Sequence, residues 1–493
     1  MLFNSLQFLV FFPAVFFLYF LLPYRYRNWL LLLASVYFYM AWKPVFILLV
    51  LFSVSLDYVA ALLMARAANP HTRKIFLSIS LVSNLAILGF FKYFNFFLDS
   101  VNHAGQWFGF ASVIPFLHII LPLGISFYTF QAMAYAIDVY LRKLPAETNF
   151  FRYFLFVMFF PQLVAGPIER APNLLKQFYE KHDFNYRDAT DGLKLAAWGM
   201  FKKVVIADRL AAYVDYVYKA PEQFTGMPLM IATVFFAFQI YCDFSGYSDI
   251  AIGTAQMLGF RLMDNFNRPY FSKSIAEFWS RWHISLSTWF RDYVYIPLGG
   301  NRVSHGRHQF NIFATFLVSG LWHGASWTFV LWGALNGFYI LASRWTLSVR
   351  ERTTHRIGLT RLPGLHKIFK ILTTFTLTCI AWVFFRARSL HDALYILRHS
   401  VTNFGEWWAK LFSWDTEYLK KYLLMDQEKS ALLIVIGAIA FMEAIHLIQR
   451  HGRIRHMLLE YHWSIRWSLY IALVLTILIF GKFGERQFIY FTF

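Results

Sequence analysis

The chain has 493 residues, of which 58% are hydrophobic, 21% aromatic and only 15% charged. Soluble domains carry about 25% charged residues, so a cytosolic globular protein, a disordered chain and a disulfide scaffold are excluded. What remains is a polytopic all-α membrane protein. The excess of 46 Lys and Arg over 27 Asp and Glu gives a formal net charge of +19. That charge is scattered between apolar stretches rather than gathered in a patch, which argues for loops beside an anionic leaflet and against nucleic acid.

Met1–Tyr24 holds no charged residue and lacks the basic start and small-residue cleavage site of a secretory signal, so it reads as a retained first span. Uncharged stretches follow at 28–42, 44–56, 75–91, 101–137, 153–168, 224–242, 309–343, 371–385, 431–442 and 467–481. They predict about ten to thirteen helices, some broken or re-entrant, in a single membrane domain over 1–493. Arg25/Arg27, Arg66/Arg73/Lys74 and Arg142/Lys143 are each two spans apart. With the basic loop 344–370, they place those loops in the cytoplasm and both termini outside it. Cys242 and Cys379 lie in apolar surroundings and read as small buried hydrophobes.

The middle of the chain breaks this pattern. Between Phe260 and Gln309, charges, prolines, glycines and tryptophans crowd together, and such a segment cannot face lipid. Two of the sixteen histidines stand out beside it. His323 sits inside the uncharged stretch 309–343, where an imidazole needs a cavity or a partner. Gly320/Gly324 and Gly333/Gly337 form small-xxx-small pairs that permit close backbone approach. His283 lies among tryptophans, with Ser280, Ser287 and Arg291 at helical spacing around it. Packing between helices is the lesser reading of His323, whereas an interfacial helix explains His283 as well as catalysis does; together they suit general acid–base chemistry. No His-x-x-x-His pair, Gly-x-Ser-x-Gly elbow or phosphate loop is present, so no metal site is expected and a serine hydrolase or ATP-driven pump is disfavoured. Asp243 and Asp249 read as partners for Arg or as helix caps.

The run Trp282-His-Ile-Ser-Leu-Ser-Thr-Trp-Phe-Arg-Asp-Tyr-Val-Tyr-Ile-Pro-Leu-Gly-Gly-Asn301, followed by Gly320-Leu-Trp-His-Gly-Ala325, resembles the signature of membrane-bound O-acyltransferases. The similarity is to the bacterial branch that contains the alginate O-acetyltransferase membrane subunit and related peptidoglycan O-acetylation proteins. Supporting stretches lie at 121–128, 160–167, 241–249 and 265–270. The resemblance implies a funnel of helices around a water-accessible tunnel, with 260–345 as the two-histidine core. It maps the family's near-universal histidine onto His323 and the second catalytic position onto His283. Trp282, Ser285, Arg291, Trp322, Ser319, Asp243 and Ser245 are the candidates to line the tunnel or bind substrate. The sequence does not say which histidine is the base and which helps the oxyanion.

The same resemblance implies no bound cofactor, acetyl-CoA as a cytoplasmic acyl donor, and an extracytoplasmic polysaccharide acceptor. It also implies a bacterial inner-membrane location, lipid contact and a periplasmic O-acetyltransferase partner. The tail 488–493, Phe-Ile-Tyr-Phe-Thr-Phe, is similar to the aromatic C-terminal motif of several bacterial members. That likeness makes Tyr490 a candidate acyl carrier, with an interfacial anchor as the other reading. A transporter or lipid-binding scaffold is the competing class, disfavoured by the two matched histidines and the lack of evident inverted repeats.

Overall fold

The computed structural model describes residues 1–109, 114–450, 452, 454–484 and 488–489. Among them every regular element is a helix. Six helices are long and apolar enough to cross a membrane: Phe46–Arg66, Pro70–Trp107, Met227–Met257, Pro363–Arg386, Lys429–Ile448 and Trp463–Phe480. Large apolar side chains on them face outward, such as Leu433 and Leu478, while Asp57, Asn84 and Asp243 are buried. This inverted polarity is what a hydrocarbon solvent selects.

Contacts divide the described chain into two interleaved units: residues 1–196 with 248–263, and residues 197–247 with 264–489. In the first unit, the opening apolar stretch forms the helix Leu6–Leu21, capped by Ser5. At 1.5 Å per residue it reaches about 24 Å, short of the roughly 30 Å of hydrocarbon. The stretch 75–91 runs on further than the sequence suggests, to Trp107, through a π turn at Gly89–Tyr93. The stretch 101–137 is not one element. It divides between the end of Phe94–Trp107 and the helix Ile125–Tyr140. Gly124 enters that second helix at φ 72°, and a Cβ there would stand 2.9 Å from the Leu163 carbonyl oxygen. Inside the unit, Ser80 Oγ and Asn84 Nδ2 donate to the Asp57 carboxylate at 2.5–2.9 Å, and Ser53 Oγ donates to Asn84 Oδ1 at 2.9 Å. This polar cluster pins Phe46–Arg66 to Pro70–Leu88 where lipid offers no hydrophobic drive to pair them.

In the second unit the uncharged stretch 309–343 is a helical hairpin, His305–His323 and Trp327–Trp345, turned at Gly324–Ser326. One glycine of each small-xxx-small pair makes the expected close backbone approach, while Gly324 lies past the helix end against the Phe329 ring. Gly320 faces Gly333, and a Cβ on Gly320 would lie 2.4 Å from the Phe329 carbonyl oxygen and 3.0 Å from the Gly333 Cα. Nothing at that contact is a flexible side-chain end. Gly320→Ala is therefore expected to destabilise the protein by about 1–3 kcal/mol, the cost of overpacking, and to lower activity by displacing His323 one turn away. A thermal-shift assay of the detergent-solubilised variant checks this; an unchanged melting temperature would sink the reading.

Both cysteines are free and buried, as expected. Asp243 neither pairs with an arginine nor caps a helix. It sits in mid-helix within Met227–Met257 and pairs with Lys203.

Candidate active site

His323 is the last residue of its helix, and Gly324 follows in an extended conformation that turns the chain away. Its imidazole is 4% exposed, within a box of rings. Trp332 is 4.8 Å away edge-to-face, Trp322 4.9 Å and Phe385 5.4 Å, centroid to centroid. Such walls are apolar and stiff, so the ring's orientation is set by packing.

His283 does not sit on a continuous amphipathic helix. The helices Ile275–Arg281 and Ile284–Phe290 are separated by Trp282 and His283, and His283 is the N-cap of the second at φ 44°, ψ 55°. A left-handed non-glycine residue costs of order 1 kcal/mol and is kept where surroundings impose it. Asn265 imposes it here. Its carbonyl oxygen accepts the Ile284 N–H at 3.0 Å, and its Oδ1 accepts from Ser285 N at 3.2 Å and Ser285 Oγ at 2.7 Å. His283 Nδ1 lies 3.3 Å from the same Oδ1.

That geometry fixes the tautomer. A backbone N–H can only donate, so Asn265 presents oxygen, not nitrogen, to Ser285. An amide oxygen can only accept, so the hydrogen at its contact with His283 belongs to Nδ1. Nε2 is then the lone-pair nitrogen. His283 is fully buried and lies outside the six candidate spans, and burial pushes its imidazolium pKa down from 6.5 to about 3. The ring is neutral at physiological pH.

Trp322 joins the two histidines, with its ring 6.1 Å from His283 and 4.9 Å from His323. Phe244 closes the other side of His283 at 4.6 Å. Beneath them Trp282 stacks on Phe278 and meets Phe266 and Trp382.

The structure thus gathers His323, His283, Trp282, Ser285 and Trp322 at one place, and Ser319 is buried one turn before His323. Asp243 and Ser245 lie on the Met227–Met257 helix that carries Phe244, but they face lysines: Lys203 Nζ is 2.6 Å from Asp243 Oδ1, and Lys202 Nζ donates to Ser245 Oγ at 2.9 Å. Arg291 stands apart from this group. Its side chain is 59% exposed and pairs with the adjacent Asp292. The break at 282–283 separates Ser280 from His283, while Arg291 is the C-cap of the helix that His283 begins. Tyr490 lies outside the described residues.

Three residues escaped the sequence reading. Asn265 is 18 positions from His283, and only its place in the Asn265–Tyr270 stretch marked it. Lys202 and Lys203 sit in the apolar run 195–206, where two adjacent charges are themselves the signal.

The profile described as "MBOAT, membrane-bound O-acyltransferase family" matches residues 141–385. The chain is 43% identical to a protein of Pseudomonas aeruginosa named "Probable alginate O-acetylase AlgI", over 83% of this chain and 76% of that one. It is 34% identical to the "Peptidoglycan O-acetyltransferase" of Helicobacter pylori, over 100% of this chain and 98% of the relative. The Bacillus subtilis "Teichoic acid D-alanyltransferase" is 25% identical over 56% of this chain and 71% of its own length. Two buried histidines linked through Trp322, inside a multi-pass helical protein with relatives of this kind, make the chain an acyl-transferring enzyme that belongs to the membrane-bound O-acyltransferase family.

Proposed function

We propose that the protein transfers acetyl groups from cytoplasmic acetyl-CoA to the hydroxyls of an extracytoplasmic polysaccharide, from the inner membrane of a bacterium and with both termini outside the cytoplasm. The observation that carries this reading is the pairing of His323 and His283 through Trp322 among buried aromatic rings. The relatives named for alginate and peptidoglycan support a polysaccharide acceptor. The basic loop 344–370 suits an anionic donor.

His323 takes the proton of the acceptor hydroxyl as the oxygen attacks the thioester carbonyl. The C–S bond then breaks, the acyl group stays on the oxygen, and the imidazolium returns its proton to the leaving thiolate. His283, neutral and protonated at Nδ1, offers the Nε2 lone pair and orients a hydroxyl or amide N–H of a substrate. Trp282, Trp322, Ser285 and Ser319 shape the site and exclude water, which strengthens these interactions. The chemistry uses side chains alone.

Tyr490 is the first acceptor in this scheme. Its phenol oxygen forms an acyl ester, which a periplasmic O-acetyltransferase partner passes to the polysaccharide. The test is to incubate the purified protein with radiolabelled acetyl-CoA, alone and with candidate partners. Hydroxylamine-releasable label is expected on the wild-type protein and absent from both Tyr490→Phe and His323→Ala. If Tyr490→Phe retains the label, the tyrosine is an anchor and acylation is direct.

A further inference from the structure

The segment that leads to the chain's end is held at four points within the second unit. Arg209 Nε donates to the Phe480 carbonyl at 2.8 Å, and the Lys482 N–H donates to the Val204 carbonyl at 2.9 Å. Phe488 lies under the Lys203 ammonium, 4.3 Å from Nζ to the ring centroid, and meets Tyr247 edge-to-face at 4.7 Å. The Ile489 N–H donates to Asp243 Oδ2 at 2.6 Å. Phe488 and Ile489 are 1% and 9% exposed.

The partners of these two residues are unusual for a membrane protein. Lys203 is 1% exposed at its side chain and lies 2.6 Å from Asp243 Oδ1 and 2.9 Å from Asp208 Oδ1. An ammonium and two carboxylates taken out of water cost several kcal/mol each before their attraction is counted. Such groups at membrane depth mark a site unless they only hold helices together. Asp243 does more than that, because its two oxygens have different tasks. Oδ1 is fixed by Lys203, which turns Oδ2 toward the backbone of the chain's end.

The neighbouring residue on the same helix, Phe244, is the ring that touches His283. The π segment Phe201–Ala207 supplies both Lys203 and the Val204 carbonyl, and all seven of its residues are buried. The arrangement recognises an aromatic ring and the N–H that follows it, not a particular run of side chains.

We propose that Lys203, Asp243 and Tyr247 form a seat for Phe488 and Ile489, with Asp243 and Tyr247 on the same helix as Phe244, the ring that contacts His283. As a positioning device for acyl transfer, the seat rests on the acyl-tyrosine reading above; as a binding site, it does not.

The test uses the full chain in detergent, with Cys242 and Cys379 replaced by Ala and Ile489→Cys as a probe for a fluorescent maleimide. Labelling is expected to be slow with the seat intact. It should be at least tenfold faster in Lys203→Met/Asp243→Leu, a double change that removes this pair together but also takes the Lys203 ammonium from Asp208. Phe488→Ala, which alters only the tail, should accelerate labelling too and serves if the double variant fails to give a sharp size-exclusion peak. Equal rates in all three proteins would overturn the seat.

Acetyl transfer is measured in parallel, in the original background. Loss of transfer in the seat variants supports the positioning role, and full transfer with a released tail overturns it. A chain ending at residue 489 separates the two ideas. Slow labelling with no acyl-protein supports both, while slow labelling with undiminished transfer leaves the seat and removes the relay.

Discussion

His323→Ala is expected to lower acetyl transfer at least 10³-fold, equivalent to about 4 kcal/mol of transition-state stabilisation. The size follows from the ring box. The rings that pack on His323 include Trp322, Trp332 and Phe385, which cannot accept a proton at neutral pH. None of these three replaces it as the base. The fold should survive, because the hairpin's close backbone contact is Gly320 on Gly333, one turn away from the ring that is removed. Two further variants separate proton transfer from packing. His323→Gln restores polarity and most of the volume but no usable base, so it should be as inactive as the alanine. Added imidazole should partly restore His323→Ala, since the deleted ring leaves a cavity of its own shape. Activity above a tenth of wild type in a well-folded His323→Gln protein would remove His323 as the base.

How far the site could be read from the sequence depends on how local its determinants are. His323 was legible because a lone imidazole in an uncharged stretch is costly, and the glycines flanking it have a spacing with a mechanism. A stretch as long as 309–343 is expected to bend or break, but it carries no charge to mark where it reverses. His283 was legible as a residue but not as a conformation. Its helical spacing to Ser280, Ser287 and Arg291 suggested one face, whereas Asn265 breaks the helix from outside. Lys202 and Lys203 were missed for the same reason. Two adjacent charges in the apolar run 195–206 mark the place, but their partners Ser245 and Asp243, 43 and 40 positions away, are not marked locally. Membrane class and most apolar helices followed from composition; their ends and breaks were set by tertiary partners.

Asn265 offers the second large effect. It touches no reacting atom, so it is a positioning residue, yet it fixes both the left-handed turn at His283 and the hydrogen on Nδ1. Asn265→Leu keeps the volume and removes the acceptor. The Ser285 N–H and hydroxyl lose their partner, the turn is no longer held, and the imidazole is free to carry its hydrogen on Nε2 instead. Loss of transfer by about 10²-fold is expected, of the order that a misplaced second-shell partner costs, with kcat falling more than KM rises. Asn265→Asp is the informative contrast, because it keeps an oxygen acceptor and therefore the tautomer. It also sets a carboxylate beside Nδ1, which favours the imidazolium and should raise the His283 pKa from its burial-lowered value. Protonation puts a hydrogen on Nε2 and removes the lone pair. The Asp variant should therefore work near wild-type rate at pH 8 and lose activity as pH falls toward 5, whereas His283 contributes no such acid limb in the wild type. A role confined to packing would not move a pH profile. If Asn265→Asp and Asn265→Leu are equally impaired at every pH, Asn265 merely supports the fold and the tautomer assignment for His283 falls with it.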